Sequence, residues 1–135
     1  MTTQIFVNLP VKDLDRSVAF FKRLGFNFNP QFTDDNGACL VLGPNIYAML
    51  LTEGFFKDFT AKPIANAHAT TEVLVAIDAP SRTAVDDLVT RAVAEGGVEY
   101  RQGQDHGWMF QRCFADPDGH QWEVIYMDPA GPPQG

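Results

Sequence analysis

The sequence predicts an α+β fold made of two βαβββ modules. Three observations lead there. The chain reads as a strand, a helix and three short strands, and then repeats that order. Each helical stretch is stopped by glycine, Gly25 in the first half and Gly96-Gly97 in the second. Cys39 lies ten residues before Met49 across a Gly-Pro-Asn turn, and Cys113 lies ten residues before Glu123 across an Asp-Pro-Asp-Gly turn. Equal offsets across equivalent hairpins point to two copies of one module.

The first strand is "QIFVNLPV". Strand parity sends Ile5, Val7 and Leu9 to one face and Gln4, Phe6 and Asn8 to the other. Asp13 is an N-cap candidate for a helix with Leu14, Val18, Phe21 and Leu24 on one face. Strands follow at Phe26–Thr33, Ala38–Leu42 and Ile46–Leu51, split by "DDNG" and "GPN" turns. Residues 53–70 break the pattern, with a short helix at Phe55–Phe59 and then a linker. The second module opens with a strand at Thr71–Ile77. Pro80 and Ser81 then start a helix with Val85, Leu88, Val89 and Ala92 inward. Strands at Val98–Gln102, Met109–Ala115 and His120–Tyr126 complete it. The expected organisation is one domain over 1–130, with modules at about 4–52 and 71–127 and a tail at 131–135.

Composition narrows the function. Seventeen acids oppose ten basic residues, a net charge of −7. Such a surface repels phosphate backbones, so nucleic acid is excluded as a partner. No apolar run approaches the roughly 18 residues a membrane helix needs. The start "MTTQIFVNLPV" has no basic segment, so a cytoplasmic protein with buried free thiols is expected. No glycine-rich phosphate loop or nucleophile elbow is present. His68, His106 and His120 are scattered and lack zinc spacing.

The stretches "LPVKDLDRSVAFFKRLGF" and "FADPDGHQWEVI" resemble the vicinal oxygen chelate superfamily, which spans glyoxalases, extradiol dioxygenases and bleomycin-binding proteins. The resemblance covers about residues 4–127. It implies an open, barrel-like curved sheet with helices outside, a cleft between the modules and a homodimer. It also implies four metal-ligand slots, which fall on Phe6, Met49, Glu72 and Glu123. Phe6 cannot ligate a metal and Met49 is a soft thioether. No slot holds histidine, which argues against extradiol dioxygenase activity.

Glu72 and Glu123 are therefore the candidate catalytic and metal-binding residues, for one divalent ion (Mg, Mn, Ni or Zn) or for none. Phe6, Asn8, Tyr47, Met49, His106 and Trp108 are the candidate ligand-binding residues. Apolar walls with a few polar groups suit a small molecule. Two readings stay open. One is a glyoxalase-like lyase or isomerase acting on vicinal oxygens. The other is a metal-free binding or resistance protein with an aromatic, acidic cleft.

Overall fold

A computed structural model describes residues 1–134, and the last residue of the expected 131–135 tail lies outside them. The chain divides into two compact units, residues 1–66 and residues 67 onward. In the first, the elements are β1 (Ile5–Val11), α1 (Leu14–Arg23), β2 (Asn27–Asn29), β3 (Gly37–Gly43), β4 (Ile46–Thr52) and the single turn α2 (Glu53–Phe56). The second has β5 (Leu74–Asp78), α3 (Arg82–Ala94), β6 (Gln104–Asp105), β7 (Met109–Ala115) and β8 (Gln121–Met127). The sheet orders are β1-β4-β3-β2 and β5-β8-β7-β6. In each sheet the first strand runs parallel to the last, and the other pairs are antiparallel. The two βαβββ modules of the sequence are these two mixed sheets. No helix among the described residues is long and apolar enough to cross a membrane.

Local chemistry explains the helix starts. The Asp13 carboxylate accepts from the Arg16 amide at 3.0 Å, and the Ser81 hydroxyl accepts from the Ala84 amide at 3.0 Å. Helix α1 buries Ser17, Phe20 and Phe21, with Leu24 just beyond it. Leu14 and Val18 are only half-buried, so the inward face is rotated from the expected one. Helix α3 buries Val85, Val89 and Ala92 as expected, while Leu88 stays half-buried. Leu9, Val11, Ala48 and Leu50 belong to the core of the first unit, and Phe114, Trp122 and Val124 to that of the second.

Three strands differ from the sequence reading by more than one residue at an end. The strand expected at Phe26–Thr33 is only Asn27–Asn29. The Asn29 side chain takes the Gln31 amide at 3.0 Å and Pro30 opens a 3-10 turn, which ends the ladder. The strand expected at Val98–Gln102 does not form. Val98 makes one bridge to Ala115, the carbonyl of Arg101 takes the Cys113 thiol at 3.4 Å, and pairing moves on to Gln104–Asp105. The strand expected at Thr71–Ile77 starts only at Leu74, because the chain bends at Glu72. Cys39 and Cys113 are both free and buried, and burial pushes the Cys39 thiol up.

Candidate functional site

The sheet register groups four of the candidate residues in the first unit. Phe6 pairs with Tyr47 and Asn8 pairs with Met49 across β1 and β4. Positions two apart on a strand share a face. Leu9 and Val11 alternate to the buried side, so Phe6 and Asn8 are left exposed. The rings of Phe6 and Tyr47 stack, with centroids 4.9 Å apart and planes 14° from parallel. Phe6 is 48% exposed. A half-exposed, pre-stacked aromatic pair beside an amide and a thioether is a ready surface for a flat apolar group.

In the second unit, Glu123 occupies the middle of β8. Its cross-strand neighbours are Ala76 on β5 and Cys113 on β7. Cys39 likewise faces Met49 in the first unit, so Met49 and Glu123 are equivalent positions. The Glu123 carboxylate is paired with the Arg101 guanidinium at 3.3 Å. Next to Arg101, the Tyr100 hydroxyl is buried and has no hydrogen-bond partner among the described residues. Burial, and then the neighbouring Cys113 and Glu123, push the Tyr100 phenol up, so it stays a protonated donor at neutral pH. An open hollow of about 500 Å³ is lined by Glu99, Tyr100, Arg101, Gln102 and Gly103.

The remaining candidates lie apart from this cluster. Glu72 is exposed, outside β5 and at a bend, and its neighbour Thr71 donates to the Gln121 side chain at 2.8 Å. The same register that aligns Met49 with Glu123 aligns Phe6 with Leu74, two residues past Glu72. Glu72 therefore lies outside the β5–β8 ladder that carries Glu123. His106 and Trp108 lie in the turn between β6 and β7. The His106 ring is exposed, 3.4 Å from the Gln104 amide oxygen, and the Trp108 carbonyl accepts from the Asp128 amide. Asp128 is five residues beyond Glu123, so Trp108 adjoins the chain about 16 Å further along. Nearby, Arg82 holds Asp105 through two hydrogen bonds of 2.8 and 2.9 Å and keeps that carboxyl low, at about 2.

Comparison with known proteins follows this geometry. Residues 3–43 match the family model described as bleomycin resistance protein-like N-terminal. A hypothetical protein from S. aureus superposes with a TM-score of 0.78 at 25% identity, over 93% of this chain and 94% of that one. A glyoxalase-related enzyme from Fulvimarina pelagi gives 0.76 at 19% identity, over 99% of both chains. A bleomycin resistance determinant encoded on the transposon Tn5 gives 0.64 at 20% identity, over 95% of this chain and 99% of that one. Residues 3–43 thus resemble that N-terminal family, and the whole chain shares its fold with these structures. No curated protein matches it in sequence.

The superfamily resemblance implies a divalent metal, and the residues at the four slots do not fit one. Phe6 and Met49 supply no hard donor. Glu123 already bonds a cation, Arg101, and its neighbours Ala76 and Cys113 add no second hard oxygen. Among the described residues, no group of three or more His, Cys, Asp and Glu is arranged to hold an ion. The residue that the sequence reading missed is Arg101. A carboxylate in an apolar strand demands a cation. With metal ligands absent from the other slots, that rule pointed to the few basic residues of the second half.

Proposed function

We propose that this protein is a metal-independent binder of small aromatic cations, a sequestering protein rather than a metalloenzyme. The observation that carries the reading is the stacked, half-exposed Phe6–Tyr47 pair on the sheet face of the first unit. Aromatic faces attract cations as well as flat rings. Charge adds long-range attraction. The chain carries seventeen acids against ten basic residues. The fold shared with a bleomycin resistance determinant makes bleomycin a natural test ligand.

The test is titration with bleomycin and with the planar cation proflavine in EDTA, read by calorimetry. Saturable binding is expected. Tyr47→Ala and Phe6→Ala should each weaken it about tenfold, the roughly 1.4 kcal/mol that one stacking contact supplies. Glu123→Gln should leave it unchanged. Near-stoichiometric divalent metal in the purified protein, lost in Glu123→Gln, would sink this reading in favour of a glyoxalase-like metalloenzyme. So would binding that survives loss of both rings.

A further inference from the structure

The three arginines whose ion pairs are described in the second unit are used very differently. Arg112 bridges two carboxylates, taking Glu99 through bonds of 3.0 and 2.8 Å and Asp86 at 3.0 Å. Arg82 holds Asp105 in a two-bond fork and also donates to the Gly107 carbonyl at 2.7 Å. Arg101 makes one long contact, 3.3 Å from one Nη to one Glu123 oxygen, and its side chain is 35% exposed. A guanidinium has five N–H donors in a planar fork. Most of that fork is unused here, and Arg101 lines the hollow of about 500 Å³. That volume lies within the usual range for small-ligand sites.

Two neighbouring features make this more than one loose side chain. The Arg112–Glu99 fork anchors the segment two residues before Arg101, so the segment is held by bonds that leave Arg101 itself uncommitted. The Tyr100 hydroxyl is buried beside it with no hydrogen-bond partner among the described residues. Its neighbour of acceptor type is the Cys113 thiol, a weak acceptor, and Tyr100 lines the same hollow as Arg101, so a ligand oxygen there would offer the phenol a stronger partner.

We infer that Arg101, steadied by Glu123 and flanked by Tyr100, is a binding site for the planar carboxylate group of a small molecule. Arg101 would then carry two carboxylates, Glu123 and the ligand, as Arg112 already carries Glu99 and Asp86. The fixed cation stands beside the one acid that a metal-binding relative would use as a ligand, and it recognises anionic oxygen without any ion. This site belongs to the second unit and does not depend on the aromatic pair of the first.

The experiment is an NMR titration of the full chain with benzoate, acetate and inorganic phosphate, in resin-treated metal-free buffer without other carboxylates at neutral pH. Readouts are the Arg101 Nε–Hε signal and the amides of residues 99–103. Benzoate and acetate should shift these signals saturably and more strongly than phosphate, which can also take a two-bond fork and so tests whether the open hollow selects the planar carboxylate. Arg101→Lys keeps the charge and loses the fork, and should weaken benzoate about tenfold. Tyr100→Phe should weaken it a few-fold. Glu123→Gln keeps a neutral oxygen beside Arg101 and removes the competing charge, so it should tighten binding, and loss of binding in it counts against the inference. Thermal melts of each variant identify any loss of fold, and Arg101→Lys serves as the variant that keeps the fold if Arg101→Ala does not. No saturable shift with any carboxylate overturns the inference, as does Arg101→Lys binding like the parent. Phosphate binding as tightly as benzoate overturns the assignment to a planar carboxylate. Failure here leaves proflavine binding at Tyr47 untouched, so the two readings fall separately.

Discussion

Asp116 offers the sharpest test of how the β7–β8 turn is held. Its carboxylate is 5% exposed and accepts three hydrogen bonds, from the Trp122 indole at 3.1 Å and from the amides of Asp118 and His120 at 3.0 and 3.1 Å. Trp122 is fully buried and stacks on Phe114, so its indole N–H has no access to water. Asp116→Ala removes both acceptor oxygens and with them all three bonds. Hydrogen bonds to a charged partner contribute about 1.5–3 kcal/mol each, giving a gross loss of roughly 5–9 kcal/mol. Against this, burial pushes the Asp116 carboxyl up, and removing a buried charge returns several kcal/mol. The expected net loss is about 2–4 kcal/mol, read from urea unfolding by tryptophan fluorescence. Hydrogen exchange at Asp118 and His120 should speed up in parallel. Paired with Trp122→Phe, the cycle should show about 1–2 kcal/mol of coupling. A loss under about 1 kcal/mol, or strictly additive effects, would refute the claim that this carboxylate holds the indole.

Two further predictions come from neighbouring loops. The Asp105 carboxyl is held at about 2, first by Arg82 and then by the Gly107 amide. A carboxyl whose folded value lies below its unfolded value stabilises the fold above about 4 and loses that effect as pH falls toward 2. A carboxyl-carbon NMR titration should therefore give a midpoint near 2, and protection of the Gly107 amide should fade over that window. A midpoint near 4 would show that the Arg82 fork does not persist in solution. Gly119 sits at φ +86°, and a Cβ there would come within 2.8 Å of the His68 backbone nitrogen. Gly119→Ala should destabilise the protein by about 1–3 kcal/mol, checked by thermal melt. An unchanged melting temperature would contradict the close approach of residues 67–68 to the turn.

Much of the fold was legible because it rests on short-range signals. The caps at Asp13 and Ser81, the glycine stops and the alternation of Phe6 and Asn8 with Leu9 are local physics, and the structure repeats them. The β7 bounds, Met109–Ala115, were readable from composition alone. The failures share a cause. At Phe26–Thr33 and Val98–Gln102, strand-like residues lose their ladder to a side-chain acceptor or a thiol donor. Such competitors lie outside any residue pattern. The rotation of α1, with Phe20 in place of Leu14 and Val18, reflects packing against a sheet whose shape no helical period records.

The candidate site divides along the same line. Equal cysteine offsets correctly aligned Met49 with Glu123, since both stand directly opposite the cysteine in the register. Motif spacing placed Phe6 level with Glu72, and here pairing disagrees: the second module begins its ladder at Leu74, and Glu72 falls at a bend before it. Two modules with the same topology thus differ in where the first strand engages. An acid that a shared motif would bring to the site is left in solvent. The remaining acid, Glu123, is half-buried on the face of β8 opposite Trp122 and Val124, and Arg101 supplies its cation from a segment that never became a strand. The irregularity of residues 98–103 and the Arg101–Glu123 pair go together. A paired strand at Val98–Gln102 would commit this segment to the regular ladder, and the loop geometry that leaves Arg101 within reach of Glu123 would be lost.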